Sequence, residues 1–212
     1  MYISLTFDDG WKSQYSNALP ILEKNKIKAT FYIITESLYT SAPAYMNRAQ
    51  ILVLNGKGHE IGSHSVTHPN LAFLWNCRQI WRSSNDLKIN GLIPDSFSYP
   101  YGRNNWILQK LVKKCGYQNA RADGNTFNKK KFNKYAVHAR YVKNTTSVGE
   151  VRLWIAEAKN NLLVLSFHQI EENPGEWGCS PALLETICRI IKESSLIVLP
   201  LTEAINRFSS GN

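Results

Sequence analysis

The segment Thr6-Phe7-Asp8-Asp9-Gly10 sets two carboxylates side by side at the end of an apolar run and follows them with a glycine. Like charges this close repel, and a nearby cation relieves the repulsion. Successive side chains of a strand point to opposite faces, but Gly10 allows a turn that can bring both acids to one mouth. The same residues also suit an Asx-type turn or a helix cap. His64-Ser65-Val66-Thr67-His68-Pro69 places two of the five histidines four residues apart. On a helix such a pair shares a face and can grip one metal ion. Pro69 disfavours helical geometry at His68, so a loop or a single turn is the expected support.

Two more clusters have chemical content. Phe97-Ser98-Tyr99-Pro100-Tyr101-Gly102 is an aromatic strand end locked by proline and released by glycine. It is either an ordinary strand-to-helix turn or a rigid one that offers a backbone N–H to a developing oxyanion. Leu163-Val164-Leu165-Ser166-Phe167-His168 delivers a histidine at the end of an apolar strand, where a general acid or base can sit, although a structural histidine can sit there too. Trp177, in the loop Asn173 to Gly178 after His168, can pack or can contact a ligand. Trp75 and Trp81 fall on a helix pattern and read as core.

The elements that position these clusters alternate between strand and helix along the chain. Strands are expected at Tyr2–Phe7, Lys28–Ile34, His59–Gly62, Ser96–Tyr99, Leu162–Phe167 and Leu196–Leu199. Helices are expected at Gln14–Lys24, Met46–Leu54, Leu74–Ile89, Asn105–Cys115, Val148–Asn160, Pro181–Glu193 and Thr202–Phe208. Such an order implies parallel strands with helical crossovers, in a barrel or a doubly wound sheet. No GxGxxG follows the first strand, and each cluster falls just past a strand's C-terminal end, where α/β barrels build their sites. The barrel is the better expectation. The polar stretch Gly124 to Val142 reads as a long loop with a short strand, and residues 1–212 read as one domain without a linker.

Composition narrows the function classes. A chain of 212 residues with 43% hydrophobic content can bury a substantial core. No apolar run is long enough to cross a membrane as a helix, and the first residues lack the pattern of a signal peptide. The net charge of +9 can serve nucleic acid or an anionic polymer. However, the densest run, Lys129-Lys130-Lys131 with Lys134, has no accompanying aromatic-and-basic motif and reads as a solvated loop, so no nucleic-acid partner is expected. Four scattered cysteines without a CxxC pair argue against a structural zinc site and a disulfide scaffold. Cys115 and Cys188 are expected to be buried thiols.

In order and placement the four clusters resemble those of the polysaccharide deacetylase family (carbohydrate esterase family four, the NodB-homology domain), over nearly the whole chain. The resemblance implies an α/β fold, a distorted and incomplete (β/α)7-type barrel. It implies a hydrolase that removes acetyl groups from N-acetylated sugars of chitin-like, peptidoglycan or poly-N-acetylglucosamine chains. Asp9, His64 and His68 would bind one divalent metal, usually zinc, with cobalt, nickel or manganese as alternatives. Asp8 would be the base that activates a metal-bound water, and His168 the acid that protonates the leaving amine. The backbone N–H of Tyr101 would stabilise the oxyanion, and Pro100 and Tyr101 would meet the sugar. Outside the family's clusters, Trp177 is a further candidate for sugar contact, as an aromatic on a loop. Many members carry an arginine two residues before the third-cluster proline; here that position is Ser98, and Arg121 is the candidate replacement. The aspartate-tryptophan segment that usually partners the acid histidine is not visible. The competing readings are a non-sugar amide hydrolase on the same fold and a carbohydrate-binding descendant without catalysis. Members are often extracellular or tied to the cell envelope, but the compartment of this chain is open.

Overall fold

The computed structural model describes residues 1–40, 42–72, 77–158 and 160–210. Its strands are β1 (Tyr2–Phe7), β2 (Thr30–Ile33), β3 (Glu60–Ser63), β4 (Ser96–Ser98), β5 (Asn119–Arg121), β6 (Arg140–Tyr141), β7 (Leu162–Phe167) and β8 (Ile197–Val198). The helices are α1 (Leu19–Lys24), α2 (Arg48–Gly56), α3 (Cys77–Ile89), α4 (Trp106–Lys114), α5 (Val148–Glu157), α6 (Pro181–Glu193) and α7 (Leu201–Ser210). The strands form one sheet in the order β5-β4-β3-β2-β1-β7-β6, and β8 pairs with β1. Every pairing between these strands is parallel.

One irregular segment joins the two ends of this curled sheet. Val137 pairs with Arg121 at the β5 end, and three residues later Arg140 pairs with Leu165 of β7. Asn128 pins this segment: its side-chain amide donates to the carbonyls of His138 (2.8 Å) and Leu162 (3.3 Å), and its Oδ1 accepts from the His138 N–H (2.8 Å). The result is a distorted (β/α) barrel whose last gap is bridged by coil. The expected loop from Gly124 to Val142 therefore contains a barrel wall, while Lys129 to Lys131 and Lys134 are exposed as read.

The two faces of β1 and β7 differ in chemistry. Ile3, Leu5 and Phe7 pack outward with Leu163, Leu165 and Phe167 against the helices, in one large apolar cluster. Truncating one such side chain to alanine typically costs about 2–5 kcal/mol. The alternate positions face the interior: Tyr2, Ser4, Thr6 on β1 and Leu162, Val164, Ser166 on β7, with Ser4 level with Val164 and Thr6 level with Ser166. At the strands' N-terminal end α7 plugs the barrel, packing Leu201, Ala204, Ile205 and Phe208 on Tyr2, Leu162 and Val164. Thr202 at its start binds Glu60 and Asn119. The interior thus grades from apolar beneath to hydroxyl-lined in the middle, and the period of two carries Asp8 and His168 to the open top.

Several boundaries move for visible reasons. α2 begins after Asn47, not at Met46, because Asn47 and Gln50 form a reciprocal capping box. Asn105 caps α4 through two backbone N–H groups and stands outside it. The turn at Gln14–Ala18 is a π-helical lead-in to α1. Two core expectations are corrected. Trp81 is 58% exposed on the solvent face of α3, because Ile80, Ser83 and Leu87 supply the buried stripe. Cys115 is only partly buried, whereas Cys188 is buried, and all four cysteines are free thiols. Trp75 lies outside the described residues.

Candidate active site

The loops after β1, β3, β4 and β7 meet at the open end of the barrel in a cavity of about 510 Å³. Its lining includes Asp8, Asp9, His64, His68, Tyr101, Arg121, His168 and Trp177, so these expected site residues share one space. Pro100 is the exception. It is buried beneath the turn and is not among the residues that line the cavity.

The backbone at this end takes conformations that most residues avoid. Asp9 (φ 71°), Ser65 (φ 66°), His68 (φ 58°) and Tyr101 (φ 59°) all lie in the left-handed region, which costs on the order of 1–3 kcal/mol per residue. At Asp9 this turn undoes strand alternation and lets both acids face the cavity. Between β3 and α3 the two histidines stand on a loop, as Pro69 requires, and the His68 N–H donates to Ser65 Oγ (3.0 Å). Gly102 also has positive φ (66°), and a side chain there would collide with Asp123 and the Tyr141 hydroxyl.

Three donors converge. Asp9 Oδ1 lies 3.5 Å from His64 Nε2 and 3.6 Å from His68 Nε2, and the two Nε2 atoms are 3.1 Å apart. His64 Nδ1 faces the Ser98 carbonyl at 2.8 Å, and a carbonyl only accepts. That bond puts the His64 proton on Nδ1 and leaves the Nε2 lone pair for a ligand. Burial lowers the His64 pKa to about 4, against the opposing pull of Asp8 and Asp9, and burial also lowers that of His68. Two neutral imidazoles and one carboxylate, their ligating atoms within 4.8 Å of one another, make a donor set that fits one divalent ion with open positions.

Asp8 belongs to a second constellation. Arg121, from the end of β5, donates through Nη2 to Asp8 Oδ2, and Ser166 Oγ donates to the same oxygen at 3.2 Å. Burial alone would raise the Asp8 pKa, but Arg121, His64, His168 and the Ser166 hydroxyl outweigh it and hold the carboxyl below its ordinary value. Arg121 is itself held by Ser98 Oγ (2.5 Å) and the Tyr141 hydroxyl (3.4 Å). Asp8 Oδ1 is buried without a hydrogen-bond partner among the described residues. Across the cavity, His168 Nε2 stands 3.8 Å from Asp8 Oδ2, and its Nδ1 likewise lacks a partner. Asp123 Oδ1 accepts from the Gly124 N–H, and Asp123 is not a hydrogen-bond partner of His168 Nδ1.

Trp177 stands beside His168, with ring centroids 6.0 Å apart, and meets Tyr141 edge-on at 5.7 Å. Tyr101 lies against His68 at 4.6 Å and is 59% exposed. Four contributors had no role assigned to them by the sequence motifs: Trp11, Gln14, Tyr141 and Ser166, the last standing inside the fourth cluster. The signal for Ser166 was a hydroxyl residue on the inward period of an otherwise apolar strand. Gln14, whose amide joins the Asp8 and His168 carbonyls at 2.5 and 3.1 Å, had no such mark.

Comparison with known proteins places this architecture. The chain is 31% identical over 122 residues to a peptidoglycan-N-acetylglucosamine deacetylase of Bacillus cereus, covering 55% of this chain and 41% of that protein. It is 29% identical over 119 residues to a chitin deacetylase of Pestalotiopsis, covering 54% and 39%. The chain spans less than half the length of these curated relatives. Among solved structures, the Xyl-CE4 domain of a multidomain xylanase from the hindgut metagenome of Trinervitermes trinervoides superposes with a TM-score of 0.67 at 20% identity, covering 97% of this chain and 90% of that one. The family 4 carbohydrate esterase of Streptomyces lividans gives 0.64 at 19% identity, covering 93% and 91%. Both likenesses speak to the fold. The sequence model of the polysaccharide deacetylase family matches residues 1–120, more than half of the chain, and the protein therefore belongs to the polysaccharide deacetylase family.

Proposed function

We propose that this chain is a metal-dependent hydrolase that removes acetyl groups from N-acetylated sugars of a glycan. The observation that carries the proposal is the meeting of two constellations in one cavity: the Asp9-His64-His68 donor set and the buried Asp8–Arg121 pair, with His168 beside the latter. The names of the relatives, deacetylases of chitin and of peptidoglycan, support an acetylated glycan as the substrate class.

In this reading Asp9, His64 and His68 hold one divalent ion, zinc in the first instance. When bound, it supplies a Lewis acid for the acetyl carbonyl and makes a water easier to deprotonate. Arg121 and Ser166 occupy Asp8 Oδ2, so Oδ1 is left to take the proton of the attacking water. The Arg121 charge keeps Asp8 ionised and fixes its rotamer. His168 gives a proton to the leaving amine, as a general acid must when a C–N bond breaks. The Tyr101 N–H is assigned to the developing oxyanion, and the rings of Tyr101 and Trp177 to the sugar faces.

The test is acetate release from N-acetylglucosamine oligomers, chitin and peptidoglycan by metal-stripped protein, with zinc, cobalt or nothing added back. Release restored by metal and lost in Asp8→Asn is the expected result. No release from any of these substrates by protein that binds one equivalent of zinc would overturn the glycan reading.

A further inference from the structure

The proposed metal site has one carboxylate, and its two oxygens are treated differently. Oδ1 of Asp9 faces both histidine Nε2 atoms, while Oδ2 accepts a hydrogen bond from the indole Nε1–H of Trp11 at 2.9 Å. An indole nitrogen can only donate, so this contact has one polarity and leaves Oδ1 as the free ligand.

Trp11 is itself held from a separate part of the chain. Its ring stacks on Tyr45 with centroids 4.8 Å apart and planes 20° from parallel. Beneath the rings, Trp11 and Tyr45 form an antiparallel bridge, flanked by Lys12 N–H to the Ala44 carbonyl (2.8 Å) and Met46 N–H to the Gly10 carbonyl (2.8 Å). This clip matters because Asp9 sits in a left-handed turn next to Gly10, a backbone with little rigidity of its own. The clip binds residues 10–12 to the segment just before α2, and the indole then fixes the carboxylate.

We infer that Trp11 is a positioning residue for the metal ligand Asp9: its indole N–H ties down Oδ2, presents Oδ1 as a one-oxygen ligand, and so raises metal affinity. The inference rests on the metal reading above. A hydrogen bond of this kind to a ligating group typically contributes about ten- to a hundredfold to metal affinity.

The test is a competition titration of zinc alone against metal-stripped protein, with no substrate present. Trp11→Phe keeps the ring that stacks on Tyr45 and removes only the N–H. Its zinc dissociation constant should rise about ten- to a hundredfold, with the melting temperature of the metal-free protein close to that of the parent. Tyr45→Leu keeps the N–H and loosens its support, so its effect should be smaller. A second measurement uses the unaltered protein. Of the six indole N–H signals in a nitrogen-15 NMR spectrum, that of Trp11 should be protected from exchange and should move most on zinc addition. Unchanged zinc affinity in Trp11→Phe, or a Trp11 signal that exchanges freely and ignores zinc, overturns the positioning role while the metal site stands. Failure of the parent protein to bind one equivalent of zinc overturns the metal reading and this inference with it.

Discussion

Arg121 and Asp8, 113 residues apart in sequence, form an ion pair in which both partners are almost entirely out of water, at 1% and 2% exposure. Such a pair is costly to assemble and more costly to break, because the remaining charge keeps its burial and loses its partner. Here the pair does two things: it holds the Asp8 carboxyl below its ordinary pKa, and it occupies Oδ2, leaving Oδ1 without a hydrogen-bond partner among the described residues.

Removing the guanidinium should therefore move a pH profile as well as a rate. In Arg121→Gln the burial of Asp8 acts with much of its opposition gone, so its pKa rises. The acid limb of kcat/KM should shift to higher pH by about one to three units. Stability should fall by about 3–5 kcal/mol in urea unfolding, and Asp8→Asn combined with Arg121→Gln should recover part of that loss. A profile with an unmoved acid limb would detach Arg121 from the base.

The cation's origin can be tested by moving it. Ser98 of β4 and Arg121 of β5 are register partners on adjacent parallel strands, and Arg121 Nη2 donates to Ser98 Oγ at 2.5 Å. The family resemblance places an arginine at position 98, one strand nearer to β1 at the same level of the barrel. If the site needs only a guanidinium beside Asp8, Ser98→Arg with Arg121→Ser should be at least tenfold more active in acetate release than Arg121→Ser alone. Equal activity of the two would mean that the approach from β5 is required.

This exchange shows which parts of the site the sequence made legible. Asp8, Asp9 and His168 could be read because a carboxylate pair and an imidazole end apolar strands, and His64 and His68 because two imidazoles stand four residues apart before a proline. Arg121 was reachable only through the family resemblance, which places an arginine at position 98, where this chain has Ser98. Gln14 and Tyr141 meet the site through contacts set by tertiary packing. Trp11, though only two residues from Asp9, is held in place by Tyr45 from a separate segment, which no local spacing encodes. The same holds for the fold. Six-residue strands such as β1 and β7 were bounded correctly, whereas barrel closure depends on Asn128, a single amide in a lysine-rich stretch. Trp81 misled because period alone does not say which stripe of a helix is buried.

Trp177 should affect binding more than chemistry. Lys143 Nζ lies 3.5 Å from its ring centroid and is paired with Glu176 at 2.9 Å, so the loop is braced from outside while the ring borders the cavity beside His168. Trp177→Ala should raise KM for N-acetylglucosamine oligomers about five- to fiftyfold, the scale of one lost aromatic contact, with a smaller change in kcat. A fall in kcat at constant KM would instead place Trp177 in the service of His168.

His59 should make the fold sensitive to mild acid, independently of the active site. Its side chain is fully buried at the start of β3, where Nδ1 accepts the Ala29 N–H at 3.1 Å and therefore carries no proton. Burial lowers its pKa to about 4, helped by Lys28 and Lys57 and opposed by the Glu23 carboxylate 3.5 Å from Nε2. The unfolded chain titrates near the ordinary histidine value of about 6.5. Between these values the unfolded state binds more protons, so stability rises with pH across that window. The contribution is complete above about pH 6.5 and is lost as pH falls toward about 4. It amounts to on the order of 2–3 kcal/mol. His59→Asn keeps an acceptor for Ala29 and removes the titration. Urea midpoints measured on metal-free protein should fall less steeply from pH 7 to pH 4.5 in this variant than in the parent. Equal slopes would mean that His59 adds nothing to the acid response that His64 and His68, also lowered by burial, give the metal-free protein.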